Sequence, residues 1–242
     1  MKDDSYPSLF SMEELCDCMA AEAPSGRDMW EDRKKRLGCL RVDITKTLKS
    51  DESGFPVIEP YWGIPENGLI DFKEAISSTD YYHWVHFFVD DVEFERLWNS
   101  SHTERYLTKL EHFAGCFSPD FTVSPDMQPW QEQFNIARGR AIGQILQSRG
   151  VNVIATVGWS TRRSFDYSFA GLSEGGTVAI STNGVLKQTA SVRLFREGVF
   201  EMERRLRPEN IILVGQELSL NTKARQIWYP NERIRHLRTL NR

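Results

Sequence analysis

The sequence predicts an α/β fold, a mainly parallel sheet with helical cover that is either barrel-like, a partial β/α barrel, or an open doubly wound sheet. Three observations carry this expectation. Strand-length apolar segments alternate with helical segments from residue 72 to residue 215. The strand segments are bulky at nearly every position, as in His83-Trp-Val-His-Phe-Phe-Val89, which suits strands buried on both faces. Polar residues gather just past each strand, at the carboxyl edge where parallel α/β folds bind ligands. Because polar groups recur at nearly every strand end rather than at one crevice, the barrel-like form is preferred.

The elements follow in order. Ser11-Met-Glu-Glu14 has the pattern of a capping box opening a helix that runs to Met19 or Ala21, and Ala23-Pro-Ser-Gly26 breaks it. Residues 28–38 are dense in charge and read as a solvated helix stopped by Gly38. After the turn at 50–54, residues 55–59 look extended between prolines and offer a sixth strand. Tyr61-Trp-Gly-Ile-Pro65 is an aromatic loop, and 72–77 is a short helix. Strands are expected at 83–89, 115–118, 151–157, 177–182 and 211–215. Between them lie helical patterns at 92–98, 106–110, 127–149 and 195–206, with Gly150 and Pro208 as stops and 161–170 as a loop or short helix. The organisation read from this is an N-terminal helical arm over 1–54, an α/β core over 55–220 and a basic C-terminal tail over 221–242.

Composition narrows the class. Hydrophobic residues make up 40% and charged residues 26%, which are globular values. No apolar run nears the roughly 20 residues that cross a bilayer, and the acidic start Met1-Lys-Asp-Asp4 lacks the features of a secretory signal, so a cytoplasmic protein is expected. Cys16, Cys18, Cys39 and Cys116 then read as reduced thiols; the spacing of the first three does not complete a zinc site. Net charge is −4, yet residues 221–242 carry six basic side chains and one acid. Together with Trp228 and Tyr229, that composition suits single-stranded nucleic acid, while Ile227, Trp228, Ile234 and Leu237 suit docking on the domain as a final helix.

Candidate chemistry lies at the strand ends. Asp90, Asp120 and Asp166 are the candidate catalytic carboxylates, suited to acid–base work or to holding a divalent metal. The competing role for such aspartates is helix capping, by Asp90 or Asp91 before Val92 and by Asp126 before the long helix. Ser118, Trp159, Ser160, Arg162 and Arg163 are the candidate substrate-binding residues: Trp159 offers a stacking ring, and the two guanidiniums offer forked donors for phosphate or a surface pairing with Asp166. His83 and His86 fall on opposite faces of one strand, so a shared metal is not expected. No glycine-rich dinucleotide or P-loop motif and no hydrolase nucleophile elbow occurs.

Across these residues the chain resembles a family of bacterial, phage and plasmid proteins defined as a domain of unknown function. The matching pieces are Tyr61-Trp-Gly-Ile-Pro65, His86-Phe-Phe-Val-Asp-Asp91 with Phe94-Glu-Arg96 and Trp98, and Ser118-Pro-Asp-Phe121. Further along, Asn152-Val-Ile154, Val157-Gly-Trp-Ser160, Arg163-Ser-Phe-Asp166 and Ala179-Ile-Ser-Thr182 match as well, so the likeness covers about residues 55–217. The resemblance implies a mobile-element setting and carries no mechanism. Two functional classes follow: a hydrolase or transferase acting on a nucleotide or nucleic-acid phosphate, or a non-catalytic module that uses the same edge to recognise a host or element-encoded factor.

Overall fold

A computed structural model describes residues 38–230, apart from 100, 186 and 187. The helices expected before Gly38 and the helix expected after Pro230 lie outside the described residues. The chain divides into two compact units, Met1–Ile44 and Thr45–Arg242. In the first, the described residues form a 3-10 turn at Gly38–Leu40 and the start of the one-turn helix Val42–Thr45.

The second unit is built on seven strands: β1 (Leu69–Asp71), β2 (Trp84–His86), β3 (Gly115–Phe117), β4 (Val153–Thr156), β5 (Thr177–Ser181), β6 (Asn210–Gly215) and β7 (Arg225–Pro230). They lie side by side in chain order, and every neighbouring pair is parallel. A doubly wound sheet reverses its order at a switch point. This one does not, so the sheet is a curled, half-barrel arc of an α/β fold.

Parallel neighbours need crossovers. The helices that provide them are α1 (Phe72–Ser77), α2 (Asp91–Phe94), α3 (Thr103–Leu110), α4 (Pro129–Ser148) and α5 (Thr189–Leu206). The outer face of β5 and β6 buries Val178, Ile180, Ile211 and Leu213 against Phe195, Val199, Met202 and Leu206 of α5. At the other end, Phe72 of α1 stacks on Phe87 at 5.2 Å, and Phe87 meets Phe94 of α2 edge-on at 5.4 Å. On the opposite face, Trp84, Phe88 and Phe117 form an aromatic row with centroids 6.0–6.5 Å apart. His86 shares that face, stacked on Phe88, and burial holds its pKa down at about 4 against the pull of Asp71.

Two strands come from segments with weak patterns. β1 has three residues, too few to show a period. β7 falls in the stretch read by charge as a basic tail; its exposed and half-buried residues alternate and it ends at a proline, the signature of an edge strand. Conversely, residues 55–59 are extended without joining the sheet. Their backbone pairs with glutamine amides of α4: Gln144 Nε2 donates to Val57 O at 2.6 Å, and Gln147 exchanges two bonds with Glu59 at 3.0 and 2.8 Å. Their ladder contacts are two isolated bridges, Pro56 antiparallel to Ser50 and Ile58 parallel to Leu172.

The Tyr61–Pro65 loop ties distant strands together. Tyr61 O accepts Thr177 N at 2.7 Å, Gly63 O accepts Thr177 Oγ1 at 2.7 Å, and Pro65 O accepts the Tyr229 hydroxyl of β7. The Tyr61 ring lies 5.1 Å from Trp84 of β2. Gly176, at φ +66°, passes so close that a Cβ there would stand 2.7 Å from Tyr61 O.

Cys116 is fully buried in β3, where burial pushes its thiol pKa well above the usual range. Among the described residues no helix is long and apolar enough to cross a membrane.

Two predictions follow. Gly176→Ala meets both left-handed backbone and a backbone clash, and is expected to cost more than the roughly 1–2 kcal/mol of the conformation alone. Gly54→Ala, at φ +86° with open space around it, incurs only the conformational cost, so thermal melting should rank Gly176→Ala clearly lower; equal melting points would contradict the close approach of the loop. A chain ending at Leu220 loses β7 and uncovers β6, and its melting point is expected to fall by about 10 °C or more. An unchanged melting point would show that β7 adds nothing to the sheet.

Candidate functional site

Past the carboxyl ends of β2 to β5 lies a cavity of about 360 Å³. Each strand end contributes: Phe88, Val89 and Asp90 after β2; Asp120, Thr122 and Val123 after β3; Val157, Gly158 and Trp159 after β4; Ser181 and Asn183 at β5. Val185 and Phe195 of α5 complete the wall.

Asp120 is positioned from β3 by two close fits. The hydroxyl of Ser118 accepts Thr156 N at 2.9 Å, and Thr156 Oγ1 donates to Ser118 O at 2.7 Å, so side chains prolong the β3–β4 pairing beyond the ladder. Pro119 O then rests on Gly139 of α4, where a Cβ would come within 2.6 Å. This lets α4 bring Arg140 in beneath the strand ends. The Arg140 guanidinium is buried and donates to three main-chain carbonyls: Thr156 O at 2.6 Å, Ser168 O at 3.1 Å and Ala170 O at 3.2 Å. Burial lowers its pKa to about 10, opposed by the Asp120 carboxylate. The same enclosure pushes Asp120 up to about 7, helped by the negative charge of Asp91 and opposed by Arg140.

The sequence-predicted residues separate. Asp90, Asp120 and Trp159 come together on the cavity wall. Asp90 occupies the N-cap position of α2 without a side-chain capping bond, while Asp91 accepts Thr122 N at 3.0 Å and Thr122 Oγ1 at 2.9 Å, strapping the post-β2 loop to the post-β3 loop. Gln128, not Asp126, caps α4, with Gln128 N donating to Gln131 Oε1 at 2.8 Å. Ser118 is fully buried, its hydroxyl engaged by Thr156. Ser160 is also buried and donates to Glu132 Oε1.

The Thr161–Asp166 stretch lies outside the cavity wall. It forms the 3-10 turn Arg162–Asp166, on which Arg162, Arg163 and Asp166 are exposed. Arg162 clasps Glu197 of α5 through Nε and Nη2 at 2.7 and 2.9 Å, a pairing that sequence distance concealed. Burial and Glu132 push the Tyr167 hydroxyl pKa up to about 12, against the opposing pull of the Arg163 guanidinium. Trp159 is turned toward α5, 5.4 Å from Phe195, in a slot kept open by Gly198, where a Cβ would strike the indole.

Two residues of the site escaped the sequence reading. Glu132 is fully buried and accepts hydrogen bonds from both Ser160 and Tyr167 hydroxyls; Arg140 anchors the loops as described. Both sit in α4 at the spacing 132, 136, 140, 143, the period of a buried helical face, and that spacing was their available signal. Among the described residues no group of three or more His, Cys, Asp or Glu is placed to hold a metal ion.

Comparison with known proteins gives a consistent setting. The Gene 1 protein of Mycobacterium phage L5 is 36% identical over 132 residues, which are 54% of this chain and 57% of that protein. The Gene 1 protein of Mycobacterium phage D29 is 36% identical over 132 residues, covering 54% of this chain and 48% of that one. The chain thus spans about half the length of the curated relatives it matches. No solved structure matches it. Residues 50–229, which take in all seven strands, match the family described as "Domain of unknown function (DUF4417)". With phage proteins among its relatives and most of its length within that match, the chain belongs to this phage-associated domain family, DUF4417.

Proposed function

We propose that the strand-end cavity is the active site of a hydrolase or transferase acting on a nucleotide or a nucleic-acid end, with Asp120 transferring the proton. The observation that carries this reading is a carboxyl group with a pKa of about 7 in a cavity of about 360 Å³. A proton donor or acceptor works best when its pKa lies near the working pH, and an ordinary exposed aspartate is about three units too acidic for that. Asp90 supplies a second, solvent-reaching carboxylate on the same wall, and Trp159 and Phe88 supply flat faces for a base.

Among the described residues no lining side chain is basic, so the cavity suits the base and sugar, with phosphate toward its mouth. Asp90 is the lining carboxylate that would meet a divalent cation brought with the substrate phosphates, since a cation on Asp120 would displace the proton it transfers. Magnesium is commonly bound by one or two carboxylates together with substrate phosphates.

The second reading, a binding module without turnover, draws on a different observation. Of the three nominated carboxylates only Asp90 and Asp120 share the cavity, while Asp166 stands apart.

One set of measurements separates the two: calorimetric binding of mononucleotides to the full chain, with product analysis by chromatography, for the wild type and Asp120→Asn. The enzyme reading expects binding to persist in the variant while turnover falls by about 10²–10⁴. Binding without turnover in the wild type would rule out the enzyme reading, and absence of any nucleotide binding would also overturn it, leaving a module that recognises a host or element-encoded factor.

A pH prediction follows from the same group. Its pKa is raised from 3.8 to about 7 on folding, so between those values the unfolded chain has released the proton that the folded chain keeps. Stability contributed by Asp120 is therefore present at low pH and lost as pH rises from about 4 to about 7, by at most about 4 kcal/mol at 1.36 kcal/mol per unit. Chemical denaturation across this range should show a fall in the wild type that Asp120→Asn flattens. Parallel pH profiles would refute the raised pKa.

A further inference from the structure

Beyond the cavity, the outer face of α5 carries an exposed ring among arginines. Phe200 is 64% exposed at the middle of the helix and borders two grooves, of about 780 and 600 Å³. Arg162, Arg193 and Arg196 line the first groove; Arg204, Arg207 and Lys223 line the second. Four glutamates accompany these six cations, leaving a surplus of two positive charges on a chain whose net charge is −4. The acids are heavily used. Glu197 is held between Arg162 and Arg193, and Glu201 between Arg204 and Arg205. The Glu203 carboxylate accepts the main-chain N–H groups of Lys223 and Ala224. Arg196 is exposed and forms no ion pair among the described residues.

We propose that this face binds single-stranded nucleic acid, with phosphates on the arginines and an unpaired base stacked on Phe200. A second copy of the chain is a poor occupant. Two α5 helices crossing antiparallel at Phe200 would set residue 200 + k against residue 200 − k, which places Arg196 on Arg204, Arg193 on Arg207 and Glu197 on Glu203. Every pair is of like charge, and such juxtapositions oppose association. The acidic side chains of a peptide would satisfy the charge but carry no flat ring for Phe200, which stands between the grooves rather than inside one. Bases stack on exposed aromatic faces whatever their identity, while arginines take the backbone. From Arg193 to Arg207 the helix extends about 21 Å at 1.5 Å per residue, room for a short run of nucleotides. None of these side chains lines the cavity, so the surface is independent of the reaction proposed there.

The test is fluorescence anisotropy of a labelled oligothymidine 20-mer with the full-length chain at 50 and 200 mM salt. About three or four phosphate contacts should weaken binding by roughly 20- to 40-fold over that range. Arg193→Glu with Arg196→Glu should lower affinity at 50 mM salt at least tenfold and flatten the salt dependence. Phe200→Ala should lower it about tenfold while leaving the salt slope in place. All three side chains are exposed, so melting points close to wild type serve as the folding control. Three results would overturn the proposal: no oligonucleotide binding at 50 mM salt, unchanged affinity in the charge-reversed variant, or polyglutamate competing as well as unlabelled oligothymidine.

Discussion

A buried guanidinium on three main-chain carbonyls joins the parts of this fold that the hydrogen-bond ladders leave separate. Arg140 reaches from α4 to the end of β4 and to the 168–170 loop, tying three segments through one rigid fork. Taking such a charge out of water is costly unless its donors are satisfied and a counter-charge stands near. The carbonyls meet the first need and the Asp120 carboxylate the second. The arrangement constrains Asp120 in return. Removing one member of such a pair leaves the other buried and uncompensated, so the residue with the most perturbed carboxyl group is also bound into the architecture.

The half-barrel raises a second constraint, since an arc of parallel strands has two edges and an unclosed interior. The chain meets this with irregular segments rather than more strands. The Tyr61–Pro65 loop supplies carbonyls to Thr177 of β5 and Tyr229 of β7 and a ring to Trp84 of β2, linking strands far apart in the sheet. The 49–59 segment is held by the side-chain amides of Gln144 and Gln147, whose donors and acceptors imitate a neighbouring strand: Gln144 accepts from Lys49 N and donates to Lys49 O and Val57 O, and Gln147 accepts from Glu59 N and donates to Glu59 O. Helix α4 therefore works on two sides: Gly139 and Arg140 set the strand ends, and its glutamines hold the incoming chain.

How much of this was legible depends on whether the information is local. The central strands were, because Val85, Phe87, Ile154, Ile180 and Ile212 belong to unbroken apolar runs that only a sheet covered on both faces can bury. The barrel-like order was also legible, through polar residues recurring at successive strand ends. β1 was too short to show a period, and β7 was hidden by its arginine and its exposed alternation. That Asp90, Asp120 and Trp159 share one cavity wall was legible because strand ends converge in any parallel sheet. The Arg162–Glu197 clasp depends on how α5 lies against the 3-10 turn, which no local pattern encodes. Glu132 and Arg140 read as ordinary solvated helix charges until the helix is known to be buried on that face.

Charge is sorted between two places as a result. Among the described residues the cavity wall carries carboxylates and no cation, with Arg140 spent on carbonyls behind it; the arginines of the 3-10 turn and α5 are outside, holding glutamates in place and facing solvent. Enclosure strengthens every electrostatic effect in the first place, and solvent screens each pair in the second. A single proton on Asp120 thus changes the character of the cavity, whereas no single charge dominates the outer face, where each arginine is one of several screened charges. A phosphate-bearing ligand would meet opposite fields at the two sites. The separation that dispersed the predicted residues is therefore also a separation of charge, with Asp90 and Asp120 on the cavity wall and Arg162 and Arg193 on the outer face.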